Sequence, residues 1–502
     1  MTAIIEANPI QGITLEPPQQ GDSCLLIIFG ASGDLARRKL IPSLYNLACV
    51  GCMNPDFDVL GTGRTPMSDE QFRERMKDAV AQSSDTHDFD ESQWPDFAKR
   101  LHYFTGDFNQ PDFYGQLGNR LNQMQEAGSS PNHLFYLSTP ASEAPNIIER
   151  LRNSGLNRSA KGWARVIVEK PFGRDLASAR ELNKIVLSAF DERDVYRIDH
   201  YLGKETVQNI LVFRFGNLAF EPIWNRNYVA RVDITAFETL GVENRGSFYE
   251  ETGALRDMVA NHLLQLLALT AMEPPIAFEA GDVRQQKVQA LRSIRPMSLD
   301  EVAKRTVRGQ YGPGQINGKP VAGYRQEPGV KPDSTVETFV ALQLFVDNWR
   351  WAGVPFFIRT GKRASRAYTE IRVRLKRTPQ ALFAATPEDQ IEHNTITLRI
   401  QPNEGITIGF GAKRPGNQMR TATVEADFSY RAIFGSRSPA AYETLLLDSM
   451  LGDPTLFTSR DEVEAEWRII TPIEEAWAQL PKPNFPNYPA GADGPPNPLM
   501  PA

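Results

Sequence analysis

The densest chemistry in this chain lies in nine residues, Arg197-Ile-Asp-His-Tyr-Leu-Gly-Lys-Glu205. They bring a carboxylate, an imidazole, a phenol and an ammonium group into a few turns of chain. His200 and Lys204 are four apart, so on a helix they share one face and can close on a single anion. Asp199 then points elsewhere, toward a different partner. A second candidate is His262, within Gly253-Ala-Leu-Arg-Asp257-Met-Val-Ala-Asn261-His262 and the leucine-rich run that follows. A catalytic imidazole needs a carboxylate to fix its tautomer and stabilise its cation. The helical neighbours of His262, at 258, 259, 265 and 266, are Met, Val, Gln and Leu. Asp257 stands about 140° away around an α-helix and is poorly placed for that role. The partner must come from another segment, and Asp199 is a carboxylate in need of one. Taken singly, each stretch has a plain alternative, a solvated polar turn or a satisfied core histidine.

Three further positions belong with these. Gly30-Ala-Ser-Gly33-Asp-Leu-Ala36 joins an apolar run to a helical pattern. Glycines at such a junction let the backbone approach a pyrophosphate, which N–H groups at the helix start can hold. The candidates are Gly30, Ala31, Ser32, Gly33, Asp34 and Leu35, although GxxGxxA is an imperfect dinucleotide fingerprint and weak alone. After the second strand comes Gly61-Thr-Gly-Arg64-Thr65, with no acid for a ribose 2′-hydroxyl. An arginine fork suits a 2′-phosphate instead, so NADP is favoured over NAD. Lys170, in Glu169-Lys-Pro-Phe-Gly173, follows another strand and would face the nicotinamide end of the cleft; Pro171 is a candidate cis proline.

These residues need a frame. Short apolar runs at 23–29, 57–61, 133–137 and 164–168 alternate with helical patterns at 68–82, 111–126, 141–154 and 175–190. That alternation predicts a Rossmann-type doubly wound parallel sheet over about 23–200. Beyond it, segments at 232–238, 338–345, 371–375, 395–400 and 406–410 alternate apolar and polar residues. They predict a larger α+β domain over 201–480 with a mainly antiparallel sheet, and a long helix near 252–272. A flexible arm is expected at 1–22 and an irregular Pro-rich tail at 481–502.

Composition narrows the class. A chain of 502 residues with 41% hydrophobic and 23% charged residues is ordinary for a multidomain globular protein. Net charge −6 gives no footprint for nucleic acid, and no apolar run is long enough for a membrane span. The first twenty residues lack a basic region followed by an apolar core, so no secretory signal is expected. Three cysteines are too few for a disulfide scaffold, which favours a cytoplasmic location. Cys49-Val-Gly-Cys52 has redox spacing but ends a predicted helix, so free thiols are expected before a redox switch. Six scattered histidines, without HExxH or paired CxxC, support no metal site.

At this point the residues resemble the glucose-6-phosphate dehydrogenase family over nearly the whole chain. The motifs that carry the resemblance, in order, are Gly30–Ala36, Glu169–Gly173, Arg197–Glu205, Arg256-Asp257 through Asn261–Gln265, Arg359-Thr-Gly-Lys362 and Gln401-Pro-Asn-Glu404. The nine-residue segment is highly specific; the glycine loop is not. The resemblance implies oxidation of D-glucose 6-phosphate at C1 to 6-phospho-D-glucono-1,5-lactone, the first oxidative step of the pentose phosphate pathway. His262 would be the general base and Asp199 its orienting partner. His200, Tyr201, Lys204 and Lys362 would hold the phosphate, while Lys170, Glu238, Asp257 and Gln401 would bind sugar hydroxyls. Arg64 would take the adenosine 2′-phosphate, and Lys170 would also contact the cofactor. A homodimer or homotetramer is implied. One departure concerns the second cation that many members place five positions after the lysine: here that position is Ala367, with Arg366 adjacent. The short tail gives no ground for a second nucleotide site. Two rival readings are weaker. An oxidoreductase of the glucose–fructose oxidoreductase type does not account for the cations at 200–204, and a silent NADP-binding redox sensor needs no base.

Overall fold

A computed structural model of the chain describes residues 19–86, 88–378, 393–434, 438–496 and 499. Most of the arm expected at 1–22 therefore lies outside the described residues, as do 497–498 and 500–502 of the expected tail. The first sheet has strands β1 (Leu25–Phe29), β2 (Asp58–Gly63), β3 (Leu101–Thr105), β4 (His133–Leu137), β5 (Ala164–Val168) and β6 (Val195–Arg197). All are parallel, in the order β3-β2-β1-β4-β5-β6, the doubly wound arrangement expected. β1 and β4 have all five residues buried, which is why they read as unbroken apolar runs. Strands β3 and β6 escaped the sequence pattern: β3 alternates as an edge strand, and β6 is only three residues long.

Helices α1 (Ile41–Cys49), α2 (Asp69–Gln82), α3 (Pro111–Glu126), α4 (Ala144–Asn153) and α5 (Leu176–Ala189) cover the two faces. Local chemistry sets several of their starts. Ser68 and Gln71 form a capping box on α2, and Asp175 with Ser178 does the same on α5.

The second sheet has eight strands: β7 (Val229–Phe237), β8 (Thr306–Gly309), β9 (Phe339–Phe345), β10 (Pro355–Gly361), β11 (Tyr368–Leu375), β12 (Thr395–Gln401), β13 (Gly405–Lys413) and β14 (Thr421–Ser429). Their order is β14-β13-β12-β11-β7-β10-β9-β8. Every neighbouring pair is antiparallel except β7 with β10. β10, Pro-Phe-Phe-Ile-Arg-Thr-Gly, lacks alternation because consecutive residues, Phe356 to Ile358, are all buried.

Helix α6 (Glu205–Phe215) follows the nine-residue segment, and α7 (Leu264–Ala271), α8 (Ala280–Arg292), α9 (Ala441–Leu451) and α10 (Arg460–Gln479) complete the elements used below. Two sequence expectations change here. Residues 199–204 form a turn between β6 and α6, not the beginning of a helix, so His200 and Lys204 are not on one helical face. The long helix expected near 252–272 is composite. Gly253, at φ 61°, breaks it; Leu255–Leu263 is π-helical; α7 resumes the α form.

Candidate active site

His262 sits in the π-helical turn, 1% exposed, with its Nδ1 2.5 Å from Asp199 Oδ1. Asp199 is 2% exposed and also accepts from the Tyr201 N–H at 2.9 Å. The carboxylate thus fixes the Nδ1–H tautomer and leaves Nε2 as the basic nitrogen. Tyr201 lies flat on the His262 ring, 4.3 Å between centroids, and His200 meets it edge-on at 4.6 Å. Three consecutive residues of the 199–204 turn therefore hold one imidazole in place. The sequence alone separates Asp199 from His200 and Tyr201 by direction; in the fold all three pack on the same ring.

Burial pushes the His262 pKa below the ordinary imidazole value, Asp199 counters this, and the Lys170 ammonium adds to the lowering. The ring is neutral at neutral pH, the state a general base requires. Burial alone would raise the Asp199 carboxyl, but His262 draws it well below the ordinary carboxylate range. Burial, His262 and Lys170 hold His200 far below its usual value. His200 is neutral, so it can reach an anion as a hydrogen-bond donor but not as a cation.

Lys170 follows β5 and is joined to Pro171 by a cis peptide. Its Nζ donates to His262 Nε2 at 2.8 Å and to Asp257 at 3.0 Å (carbonyl) and 3.3 Å (Oδ1). Asp257 and His262 therefore face the same cleft, against the α-helical projection from the sequence. The reason is the π-helix: i→i+5 spacing, seen where Leu264 N–H bonds the Val259 carbonyl, brings residues five apart onto one side. Burial would raise the Asp257 carboxyl, yet Lys170 and Lys362 draw it well below the carboxylate range. Glu337 holds the start of this turn, taking the Leu255 N–H at 3.1 Å.

Across the cleft, Lys362 pairs with Glu238 at 2.5 Å and Lys204 donates to Gln401 at 2.5 Å. The Lys204 ammonium also stands 4.0 Å over the Tyr201 ring. Burial pulls its pKa down to about 8, with Asp199, Glu404 and Glu238 opposing. Arg366 is exposed and lies over Tyr368 at 4.4 Å. Asp199, His200 and His262 hold ligand-type atoms within 4.8 Å of one another. The Lys170 ammonium already occupies the outer nitrogen of His262, an arrangement suited to proton transfer and unfavourable to a metal cation.

At the end of β1, Gly30 has φ 83°, and an added Cβ would lie 2.4 Å from the Ser138 carbonyl oxygen. Only glycine fits, and the backbone stays open to a phosphate. Arg64 follows β2 directly and is exposed. The nearest acid beyond it, Asp69, is engaged by the Tyr103 N–H at 2.7 Å and by His102 at 3.3 Å. Arg75, from α2, donates to the Ser32 carbonyl at 3.1 Å. Arg64 at the end of β2 and Arg75 beside the glycine loop are guanidinium groups of the kind that suits a phosphorylated adenosine ribose.

Comparison with known proteins completes the picture. The family model "Glucose-6-phosphate dehydrogenase, NAD binding domain" matches residues 27–209, and "Glucose-6-phosphate dehydrogenase, C-terminal domain" matches 211–499. The chain belongs to the glucose-6-phosphate dehydrogenase family. It is 46% identical to the glucose-6-phosphate 1-dehydrogenase of Chlamydia pneumoniae, over 96% of this chain and 94% of that one. With the Bacillus subtilis (strain 168) enzyme of the same name it shares 43%, over 95% and 96%. A solved glucose-6-phosphate dehydrogenase in complex with its substrate glucose-6-phosphate superposes with a TM-score of 0.86 at 34% identity, covering 95% of this chain and 96% of that chain.

Several residues around the site gain their partners only in the fold. Glu169, half-buried beside Lys170, accepts from Tyr136 at 2.5 Å and from Tyr442 of α9 at 3.2 Å. Tyr442 also lies parallel to the His200 ring, 6.5 Å away. Beneath His262, Gln265 donates to Glu466 at 2.7 Å and Glu462 at 3.1 Å and accepts from Lys287 at 3.1 Å. Arg75, Tyr442 and Lys287 look like any other helix residues until the fold brings them to the site. Cys24, Cys49 and Cys52 are free, and burial raises all three thiols.

Proposed function

We propose that this chain oxidises D-glucose 6-phosphate at C1, giving 6-phospho-D-glucono-1,5-lactone, with NADP preferred to NAD as acceptor. The observation that carries this reading is His262 hydrogen-bonded through Nδ1 to buried Asp199 and through Nε2 to Lys170, in a member of this family. His262 Nε2 takes the proton of the C1 hydroxyl, the substrate hydroxyl replacing the Lys170 ammonium at that nitrogen. Asp199 holds the ring and stabilises the imidazolium as it forms. NADP, when bound, supplies the hydride acceptor, and the C1–O bond becomes the lactone carbonyl.

Lys204 and Lys362 neutralise the phosphate dianion, with His200 and Tyr201 as neutral donors. Asp257, Glu238, Gln401 and Lys170 are suited to sugar hydroxyls, which both donate and accept. Gly30 to Leu35 would hold the pyrophosphate, and Arg64 the 2′-phosphate. Lys170, between His262 and the end of β5, is the group best placed to serve substrate and cofactor together. A cytoplasmic setting is part of the proposal, with Cys24, Cys49 and Cys52 free thiols. A homodimer or homotetramer completes the proposal.

Steady-state assays with glucose 6-phosphate and with glucose, each with NADP and NAD, test it. His262→Asn is expected to lower kcat by about 10²–10⁴-fold while leaving KM for glucose 6-phosphate within a few-fold. An unchanged kcat removes His262 from the chemistry, and equal kcat/KM for the two sugars removes the phosphate site.

A further inference from the structure

Lys362 begins the connection from β10 to β11, and the backbone of that connection is fastened from outside by the far end of the chain. The Tyr488 hydroxyl donates to the Lys362 carbonyl at 3.1 Å. The Gly491 N–H donates to the Arg363 carbonyl at 2.7 Å. Asp493 Oδ1 accepts from the Ser365 N–H at 3.1 Å and from its hydroxyl at 2.7 Å. Residues 488, 491 and 493 thus meet 362, 363 and 365 in the same order. Arg363 has φ 54°, a conformation that non-glycine residues rarely adopt, so something must hold it there. Its carbonyl is held by Gly491, and its guanidinium by buried Glu327 at 3.1 Å.

The far segment is itself locked to the body. Tyr488 and Pro489 pair with Tyr311 and Gly312, and the Ala490 N–H bonds the Gly312 carbonyl at 3.0 Å. Gly491 and Gly494 have φ 90° and 102°; added Cβ atoms would lie 2.0 Å from the Gln315 carbonyl oxygen and 2.3 Å from the Phe339 ring. The Thr338 hydroxyl, 3.1 Å from Tyr488 Oη, continues the chain of bonds to β9. A proline-rich stretch that reads as a tail therefore transmits the position of the β9 region to the Lys362 backbone.

We propose that residues 488–493 are a positioning strap for the substrate-phosphate site. By fixing the backbone of 362–365 they set how far the Lys362 ammonium reaches into the cleft. Tyr488 and Asp493 are the positioning residues; neither side chain need touch substrate. This rests on the reading of Lys362 as a phosphate-binding residue.

The test compares Tyr488→Phe, Asp493→Ala and Lys362→Ala, alone and with each strap change added to Lys362→Ala. Each strap variant is expected to raise KM for glucose 6-phosphate about five- to tenfold, the loss of one or two hydrogen bonds. The kcat and the KM for NADP should stay within twofold, and kcat/KM for unphosphorylated glucose should not change. Added to Lys362→Ala, either strap change should have no further effect on KM, because the strap acts through that lysine. A strap that merely stabilises the fold would lower the melting temperature and leave the KM values alone, which overturns the proposal. So does a further rise in KM in the Lys362→Ala background. If Lys362→Ala itself leaves KM unchanged, the phosphate reading falls and the strap with it; if only the strap variants are silent, the strap alone falls.

Discussion

Lys204 concentrates the electrostatics of the site in one side chain. Packed half-buried against Tyr201 and Gln401, its ammonium loses hydration, and its pKa falls to about 8, from near 10.5 when exposed. A depressed lysine is charged below that value and neutral above it. On the proposed reading, kcat/KM for glucose 6-phosphate in the free enzyme should fall as pH rises through about 8. Over this range the substrate phosphate remains dianionic, because its second pKa is about 6. Lys204→Arg, which stays charged, should remove that limb even if it weakens binding overall. A pH profile from neutrality upward decides: the same descending limb in both proteins would assign it to another group.

On the proposed reading, the π-helical turn is the element on which the geometry of the base depends. It follows the break at Gly253, whose left-handed φ of 61° places it where a Cβ would stand 2.4 Å from Glu337 Oε1. Glu337 in turn accepts the Leu255 N–H that opens the turn. Gly253→Ala must strain the backbone or displace the cap, costing about 1–3 kcal/mol. A lower melting temperature is expected together with a lower kcat, as His262 loses its alignment with Asp199. The KM for NADP should hold, since the glycine loop is on another sheet. A lower melting temperature with unchanged kcat would mean that Asp199 and Tyr201 orient His262 without help from the turn.

At the scale of the whole molecule, α10 ties the two sheets together. Its Trp467 donates to the Phe172 carbonyl in the Lys170 loop at 2.9 Å, and Thr471 takes the Leu176 N–H at 3.0 Å. Its first turn supplies Glu462, fully buried, which caps the helix with Ser459 and pairs with Lys287 of α8 at 2.7 Å. Burial opposes the Glu462 carboxylate, but Lys287 and Arg284 keep it ionised below its ordinary pKa. One turn on, burial and the Glu462 charge push Glu466 well above its usual value. Lys287→Met removes the cation and strands a buried carboxylate, a loss of about 3–5 kcal/mol. The sign with pH follows. In the parent protein the pair contributes above the ordinary glutamate pKa and is lost in acid. In the variant Glu462 can escape by protonating, so the deficit in melting temperature should be large at pH 7 and smaller near pH 5. An equal deficit at both would mean that lost packing, not stranded charge, dominates.

Much of this protein is set by its own sequence. Unbroken apolar runs became buried parallel strands, alternation became a one-sided antiparallel sheet, and helix ends follow local capping residues, because these signals act over a few residues. No α-helical neighbour of His262 is a carboxylate, and the fold brings Asp199 from another segment to hydrogen-bond it. Tertiary structure decided what depends on backbone hydrogen-bond register and on distance along the chain. The π-helical i→i+5 pattern, not the α-helical period, brings Asp257 to face Lys170 beside His262. The 199–204 turn gathers three side chains on one ring where a helix would have dispersed them. Arg75, Tyr442, Lys287 and Tyr488 join the site or its supports only because residues tens to hundreds of positions apart pack together, and no local pattern encodes such contacts.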